Sequence, residues 1–431
     1  MKTVMFFIFL ITAQCTIQAQ SVIDKLGKKV ERKAKQRADR KTDRAIDKGL
    51  DEVENVFNGK RKKSSSDKNE KLENEPAQGS GQTSGFAASS KYDFVPGNKV
   101  IAVEDFMQDA VGDFPAKWNT NATGEIMTVN GDDGHWLAFT GKGAFTPDFI
   151  NDIPENATIE FDLNVSPSYN YYNDALFICI AESRSKNDFT NWMHFGRPTL
   201  SGIRLELHPQ DAGSQALGKT AISIYEKGKL TMTNKTNAVA AFNRNKHKVH
   251  IAMWRQKQRL RIYVGETKLW DLPQAFVPGS HYNKLVFCTR QSKAGEYFFI
   301  SNIRVAIGDP DTRHKLLTEG RFSTSGIYFN TGSASIRSES HGILKEIAQI
   351  MKEHEDLKLQ IIGHTDNSGN PNANQTLSEH RAASVKKYLN DSFGINNNRL
   401  TTAGKGSSQP IADNRSTEGK AQNRRVEFVK Q

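Results

Sequence analysis

The stretch LKLQIIGHTDNSGNPNANQTLSEHRAASVKKYLNDSFG (357–394) decides how the last quarter of this chain is read. LKLQIIGHT (357–365) alternates as a strand, and TLSEHRAASVKKYLNDSF (376–393) turns as a helix. Leu377, Ala382, Val385 and Leu389 form its inward stripe, and Gly394 stops it. Asp366 follows the strand directly, so its carboxylate belongs to the strand-to-helix loop. Arg381 comes 15 residues later, on what reads as the first turns of the helix. A loop feeding that helix brings acid and guanidinium to one mouth. Two outcomes are open: a clasp in which Asp366 and Arg381 pair with each other, or a pocket in which both take a ligand. His364 is expected to be a packed or hydrogen-bonded histidine, set by strand alternation on the face opposite Asp366, and no Ser or Cys carries a nucleophile signature.

Outward from this stretch, SGIYFN (325–330) reads as a preceding strand, and Ser338 as the N-cap of a helix with Ile343, Leu344, Ile347, Ile350 and Met351 inward. RLTTAGKG (399–406) and RRVEFVK (424–430) read as the last strands. Residues 321–431 are therefore an α/β layer of the β-α-β-α-β kind, joined by a short connector (309–320) to what precedes it.

Between 93 and 308 the texture is different. Short alternating runs recur, including ATIEFDLNV (157–165), HKVHIAMW (247–254), RLRIYVG (259–265) and FFISNIRVA (298–306). In HKVHIAMW, Val249, Ile251 and Met253 share a face, as do Leu260, Ile262 and Val264 in RLRIYVG, and RQKQ between them makes a hairpin. Many strands without a long helix imply an antiparallel sandwich. Charges such as Lys248, Arg259 and Arg261 opposite the apolar rows exclude a lipid-facing barrel.

The N-terminal part lacks a core pattern. Residues 1–19 read as a signal peptide: Lys2, an apolar run from Val4 to Ala13, and Ala19 before the cleavage point. Gln14 before Cys15 speaks against lipidation there. Residues 20–58 read as a charged, basic helix, first of all a solvated one with interspersed Asp and Glu and alternatively one that adheres to an anionic surface, and 59–92 as a flexible linker. Across 431 residues, 59 Lys and Arg stand against 48 Asp and Glu, a net +11. Three Cys exclude a disulfide-dense scaffold or a multi-Cys metal framework. Cys179 and Cys288 lie in different strand segments and can be either a disulfide or two buried thiols.

IIGHTDNSG (361–369), Asn374, LSEHRAASVKKYL (377–389), RLTTAGKGSSQP (399–410) and AQNRRVEF (421–428) together resemble the OmpA-like C-terminal domain, the peptidoglycan-associated module of Gram-negative envelopes. The resemblance implies that residues matching Asp366 and Arg381 bind diaminopimelate of the peptidoglycan stem, and that Asn374, Thr365 and Arg425 line or support the pocket. Diaminopimelate carries an ammonium and a carboxylate on one carbon. Arg381 can fork onto the carboxylate and Asp366 can take the ammonium. The middle segment resembles concanavalin-like, laminin-G-type jelly rolls in its element order, with the turn GETKLWDLP (265–273) and the last strand ISNIRVA (300–306).

The resulting expectation is a non-catalytic protein of the outer membrane or periplasm that links the envelope to the wall, with no cofactor, no metal and no nucleic-acid partner. An outer-membrane surface or a polysaccharide is a second candidate partner. The alternative is a sandwich that binds or hydrolyses glycans. Glu160 and Asp162 share a face in IEFDLNV, but Asn164 stands where a hydrolase of the laminarinase type has its next acid. Trp118, Trp136 and Trp192 can stack on sugar rings if exposed.

Overall fold

The computed structural model describes residues 92–132, 134–185, 188, 196–210, 217–290, 293–308 and 311–431. The leader, the charged helix and nearly all of the linker lie outside the described residues, as does Trp192.

Strands in the first part are β1 (Lys99–Glu104), β2 (Trp118–Thr120), β3 (Gly124–Met127), β4 (Trp136–Phe139), β5 (Gly143–Pro147), β6 (Asn156–Val165), β7 (Leu176–Ala181) and β8 (Gly202–His208). They continue as β9 (Gly218–Glu226), β10 (Lys229–Val239), β11 (Lys248–Gln256), β12 (Arg259–Val264), β13 (Thr267–Leu272), β14 (Lys284–Thr289) and β15 (Phe298–Ile307). One sheet runs β13-β12-β11-β6-β15-β4-β3, with β1 also paired to β15; the other runs β10-β9-β8-β7-β14-β5-β2. Every pairing in both is antiparallel.

The period of two sorts the side chains. Ile159, Phe161, Leu163, Val249, Ile251, Met253, Leu260, Ile262 and Val264 enter one core with Ile178, Leu205 and Phe287 of the facing sheet. Trp118 and Trp136 are buried, so neither offers a face to a sugar. The expected hairpin is β11–β12, which closes at Gln256↔Arg259. Cys179 and Cys288 are free, buried thiols in one small apolar cluster outside the main core. In β15, Ile300 and Ile303 both point inward because the register shifts between Ser301 and Arg304, a bulge that holds Asn302 at φ 52°.

The outer face of the first sheet is not left to solvent, as the sequence had implied. Ala252, Trp254 and Tyr263 on that face join Tyr92, Phe94 and Val95 in a second core shared with the C-terminal residues. There, Asp311 caps a helical turn (Thr312–His314) that leads into β16 (Arg321–Thr324), α1 (His341–Glu353), β17 (Leu359–Gly363), α2 (Pro371–Phe393), β18 (Leu400–Gly404), α3 (Thr417–Asn423) and β19 (Val426–Lys430). The sheet order is β16-β19-β17-β18, with β17 and β18 parallel and the other pairs antiparallel.

Three local expectations need correction. The strand is Arg321–Thr324 rather than 325–330, where Tyr328 instead accepts from the Arg337 amide, donates its own amide to the Ser340 hydroxyl and turns its ring toward the sandwich. Ser338 opens a 3-10 turn without a side-chain cap. The second helix begins five residues early, at Pro371, because Asn370 caps it through the Asn372 and Ala373 amides. Leu377 is therefore only half-buried, while Ala382, Val385 and Leu389 are in the core. Gly394 ends the helix at φ 71°, as its sequence position implies.

Candidate functional site

The loop between β17 and α2 is built around its own backbone. The Thr365 amide donates to the Gly406 carbonyl at 2.9 Å, and the Thr365 hydroxyl to the Asp366 carbonyl at 2.8 Å. Asn374, one turn into α2 and buried, donates its amide to the Ser368 carbonyl at 2.8 Å. Thr365 and Asn374 therefore shape the loop and fix the direction in which Asp366 projects.

Asp366 accepts from the Ser368 amide at 2.8 Å and from the Arg424 Nη1 at 2.6 Å. Burial alone would raise its carboxyl, but the Ser368 amide and the Arg424 guanidinium outweigh it and hold the group below the usual carboxylate range. Arg381 lies about three turns into α2 rather than at its start. Its Nε donates to the Ser333 carbonyl at 3.0 Å, and the guanidinium lies 4.9 Å over the Phe329 ring. Among the described residues no carboxylate lies within ion-pair distance of it. Burial, then the neighbouring Arg424 charge, push its guanidinium below the usual value, with Asp366 opposing.

The clasp between Asp366 and Arg381 does not form, because Arg424 has taken its place. Arg424 went unnoticed in the sequence, where it reads as the first residue of a strand 424–430; the strand begins only at Val426, so strand alternation assigns no side to Arg424 or Arg425. Arg425 is buried and bonds Glu427 through Nε and Nη2 at 2.9 and 2.5 Å. Its Nη1 is buried with no hydrogen-bond partner among the described residues. His364 is also buried, and burial with the Arg425 charge lowers it to about 4, so the ring is neutral at neutral pH. β17 ends at Gly363, so strand alternation does not fix the side on which His364 lies relative to Asp366.

The OmpA family matches residues 328–424. Outer membrane protein A of Bordetella avium is 42% identical over 101 residues, 23% of this chain and 52% of its own length. Outer membrane porin F of Pseudomonas aeruginosa is 37% identical over 101 residues, 23% of this chain and 29% of that protein. Peptidoglycan-binding protein ArfA of Mycobacterium bovis is 40% identical over 103 residues, 24% of this chain and 31% of that protein. Residues 328–424 form an OmpA-family domain. The chain spans about half or less of the length of these curated relatives, and the aligned part is this domain.

The OmpA-family domain sits on the sandwich through charge as well as apolar contact. Glu160 pairs with Arg304 at 2.8 Å and accepts from the Tyr328 hydroxyl. Asp162 pairs with His250 at 2.8 Å and Arg337 at 3.2 Å, and Arg337 reaches Glu339 at 2.7 Å. Burial opposes the charge on His250, but Asp162 and Glu160 raise it to about 10, so the imidazolium is held at neutral pH. Asp162, His250 and Glu339 bring ligand-type atoms within 4.8 Å of one another. Three carboxylates there already face three cations, His250, Arg304 and Arg337, so the contacts among the described residues are those of an ion-pair lock. The two acids once weighed as hydrolytic are held ionised inside it: burial would raise Glu160 and Asp162, but His250 with Arg304 and Arg337 holds both low.

Beside this lock, a cleft of about 930 Å³ opens between the sandwich and the domain. Arg381, Arg424 and Arg425 line it on one side; Asp132, Lys248 and Asn302 line it on the other. Among the described residues no helix is long and apolar enough to cross a membrane.

Proposed function

We propose that this chain is a non-catalytic protein of a Gram-negative cell envelope that grips peptidoglycan through its OmpA-family domain. The observation that carries this reading is Arg381, which has no carboxylate within ion-pair distance among the described residues. A half-buried guanidinium without a carboxylate, beside an ionised Asp366, presents opposite charges to a ligand that must supply both. Diaminopimelate does so on one carbon. Its carboxylate takes the fork of Arg381, and its ammonium takes the lone pairs that Ser368 and Arg424 leave free on Asp366. Arg425 lines the approach, with Thr365 and Asn374 holding the loop.

The names of the relatives support an outer-membrane or periplasmic setting, reached through the leader at 1–19. The middle part is read as a concanavalin-like jelly roll that carries the wall-binding domain. Its acids being committed to ion pairs favours a scaffold over hydrolysis. The test is co-sedimentation of the full chain with purified sacculi. Arg381→Lys and Asp366→Asn are each expected to lose roughly 30-fold or more in affinity with melting temperature nearly unchanged. Wild-type sedimentation by both variants would overturn the reading.

A further inference from the structure

We infer that the sandwich supplies the second wall of the ligand site, and that the stem peptide runs in the cleft between sandwich and OmpA-family domain with Lys248 and Asn302 as its contacts on the sandwich side. This inference rests on the diaminopimelate reading above and extends it to the rest of the ligand.

Size is the first reason. About 930 Å³ is at the upper end of pockets that enclose a drug-sized molecule, far more than one amino-acid head needs. Direction is the second. Arg381 and Arg424 belong to the cleft wall, so a zwitterionic head at Arg381 and Asp366 leaves the remainder of its peptide facing the sandwich.

Charge is the third reason. Six Lys and Arg side chains line the cleft; Arg304, Arg337, Arg424 and Arg425 are held by Glu160, Asp162, Glu339, Asp366 and Glu427, so what the cleft offers an acidic ligand is Arg381 and the half-exposed Lys248. Peptidoglycan stems carry several carboxylates. The buried Arg425 Nη1 has protons to donate and no acceptor among the described residues, a costly state that a ligand oxygen would relieve.

The sandwich wall is equipped for such a ligand. Lys248 is paired with Asp132 and lies 5.2 Å over the Trp136 ring, yet its side chain is 44% exposed with donors to spare. Asn302 donates to Asp162 at 2.8 Å and keeps its carbonyl oxygen for a peptide N–H. It sits at the bulge of β15 at φ 52°, an uncommon conformation for a side-chain-bearing residue in a strand and one that aims the side chain into the cleft lining.

The test compares two probes on the full chain by calorimetric titration: free meso-diaminopimelate, and a soluble disaccharide–tripeptide that ends in diaminopimelate. Wild type is expected to prefer the disaccharide–tripeptide. Lys248→Gln is expected to cut that preference about tenfold, the worth of one hydrogen bond to a charged group. Asn302→Gly, which keeps the backbone conformation, is expected to reduce it as well. An unchanged preference in both variants, with Asp366→Asn losing both probes, overturns the second wall and leaves the diaminopimelate pocket standing. Equal loss of both probes in Lys248→Gln also overturns it, because the residue would then act on the pocket itself. Wild-type binding of both probes by Asp366→Asn overturns the diaminopimelate reading instead.

Discussion

At the scale of single residues, the site depends on which arginine satisfies Asp366. Element order placed Asp366 at a strand end and Arg381 on the next helix but left clasp and pocket both open; it was the resemblance to the OmpA-like motifs that singled the two out as ligand-binding. The sequence did not separate Arg424 from Arg425, because its pattern extends the last strand back to 424, whereas β19 starts at Val426 and no strand period reaches either arginine. The pairing has a consequence for pH. The Ser368 amide and Arg424 together keep the Asp366 carboxyl depressed against burial, so the carboxylate persists as pH falls through the ordinary range. Arg424→Gln removes one of these supports and lets burial raise the group. Sacculus binding by Arg424→Gln is therefore expected to fall away at a higher pH than wild type, as measured by co-sedimentation from pH 7 down to pH 4. Superimposable pH profiles would show that Arg424 does not set the charge of Asp366.

At the scale of elements, the strands of the sandwich and the buried stripe of α1 were legible because each repeats a period over several residues. Val249, Ile251 and Met253 are inward in β11, and Ile343, Leu344, Ile347, Ile350 and Met351 are inward in α1. Errors came where a non-repeating contact decides. Asn370 and Pro371 were read as loop residues, yet they are the cap and first turn of α2. Tyr328 lies in a stretch that reads as a strand, but its hydroxyl is drawn to Glu160 of another sheet. Seven residues of α3 were missed for want of an apolar period. The contact between β17 and α2 gives a sharp prediction. A methyl group on Gly363 would meet the Ser378 carbonyl oxygen at 2.2 Å, so helix and strand must separate. Gly363→Ala is expected to destabilise by about 1–3 kcal/mol, the usual cost of overpacking. Urea unfolding of the full chain checks this, and a midpoint equal to wild type would refute the close approach.

At the scale of the whole molecule, the sandwich and the OmpA-family domain are bound by a shared core and a lock of buried ion pairs. This was invisible to local pattern: Glu160 and Asp162 could be placed on one face, but nothing in a strand's period says what covers that face. Trp254, Tyr263 and Phe94 would lose their cover if the domain left, so described residues of both parts are expected to melt in one cooperative transition; two separate calorimetric peaks would contradict the docking. The lock has a pH signature. His250 is raised from its ordinary value to about 10, so its contribution to stability is complete below pH 6.5 and is lost as pH rises through 10. Carboxylates of Glu160, Asp162 and Glu339 and the cations Arg304 and Arg337 surround it and keep their charge over that window. The gap in melting temperature between wild type and His250→Gln should therefore narrow from pH 6.5 to pH 10; a constant gap would mean that His250 is not held as a cation. Arg304→Met removes the closest cation from buried Glu160, leaving it the Tyr328 hydroxyl and His250, and is expected to cost about 3 kcal/mol in chemical denaturation. The central claim is that the wall is recognised by a zwitterion between Asp366 and Arg381. Co-sedimentation of the full chain with diaminopimelate-type and lysine-type sacculi tests it most directly, because lysine offers the ammonium without the adjoining carboxylate that Arg381 requires. The account predicts sedimentation with diaminopimelate-type sacculi and little or none with the lysine type. Equal sedimentation with both would contradict it.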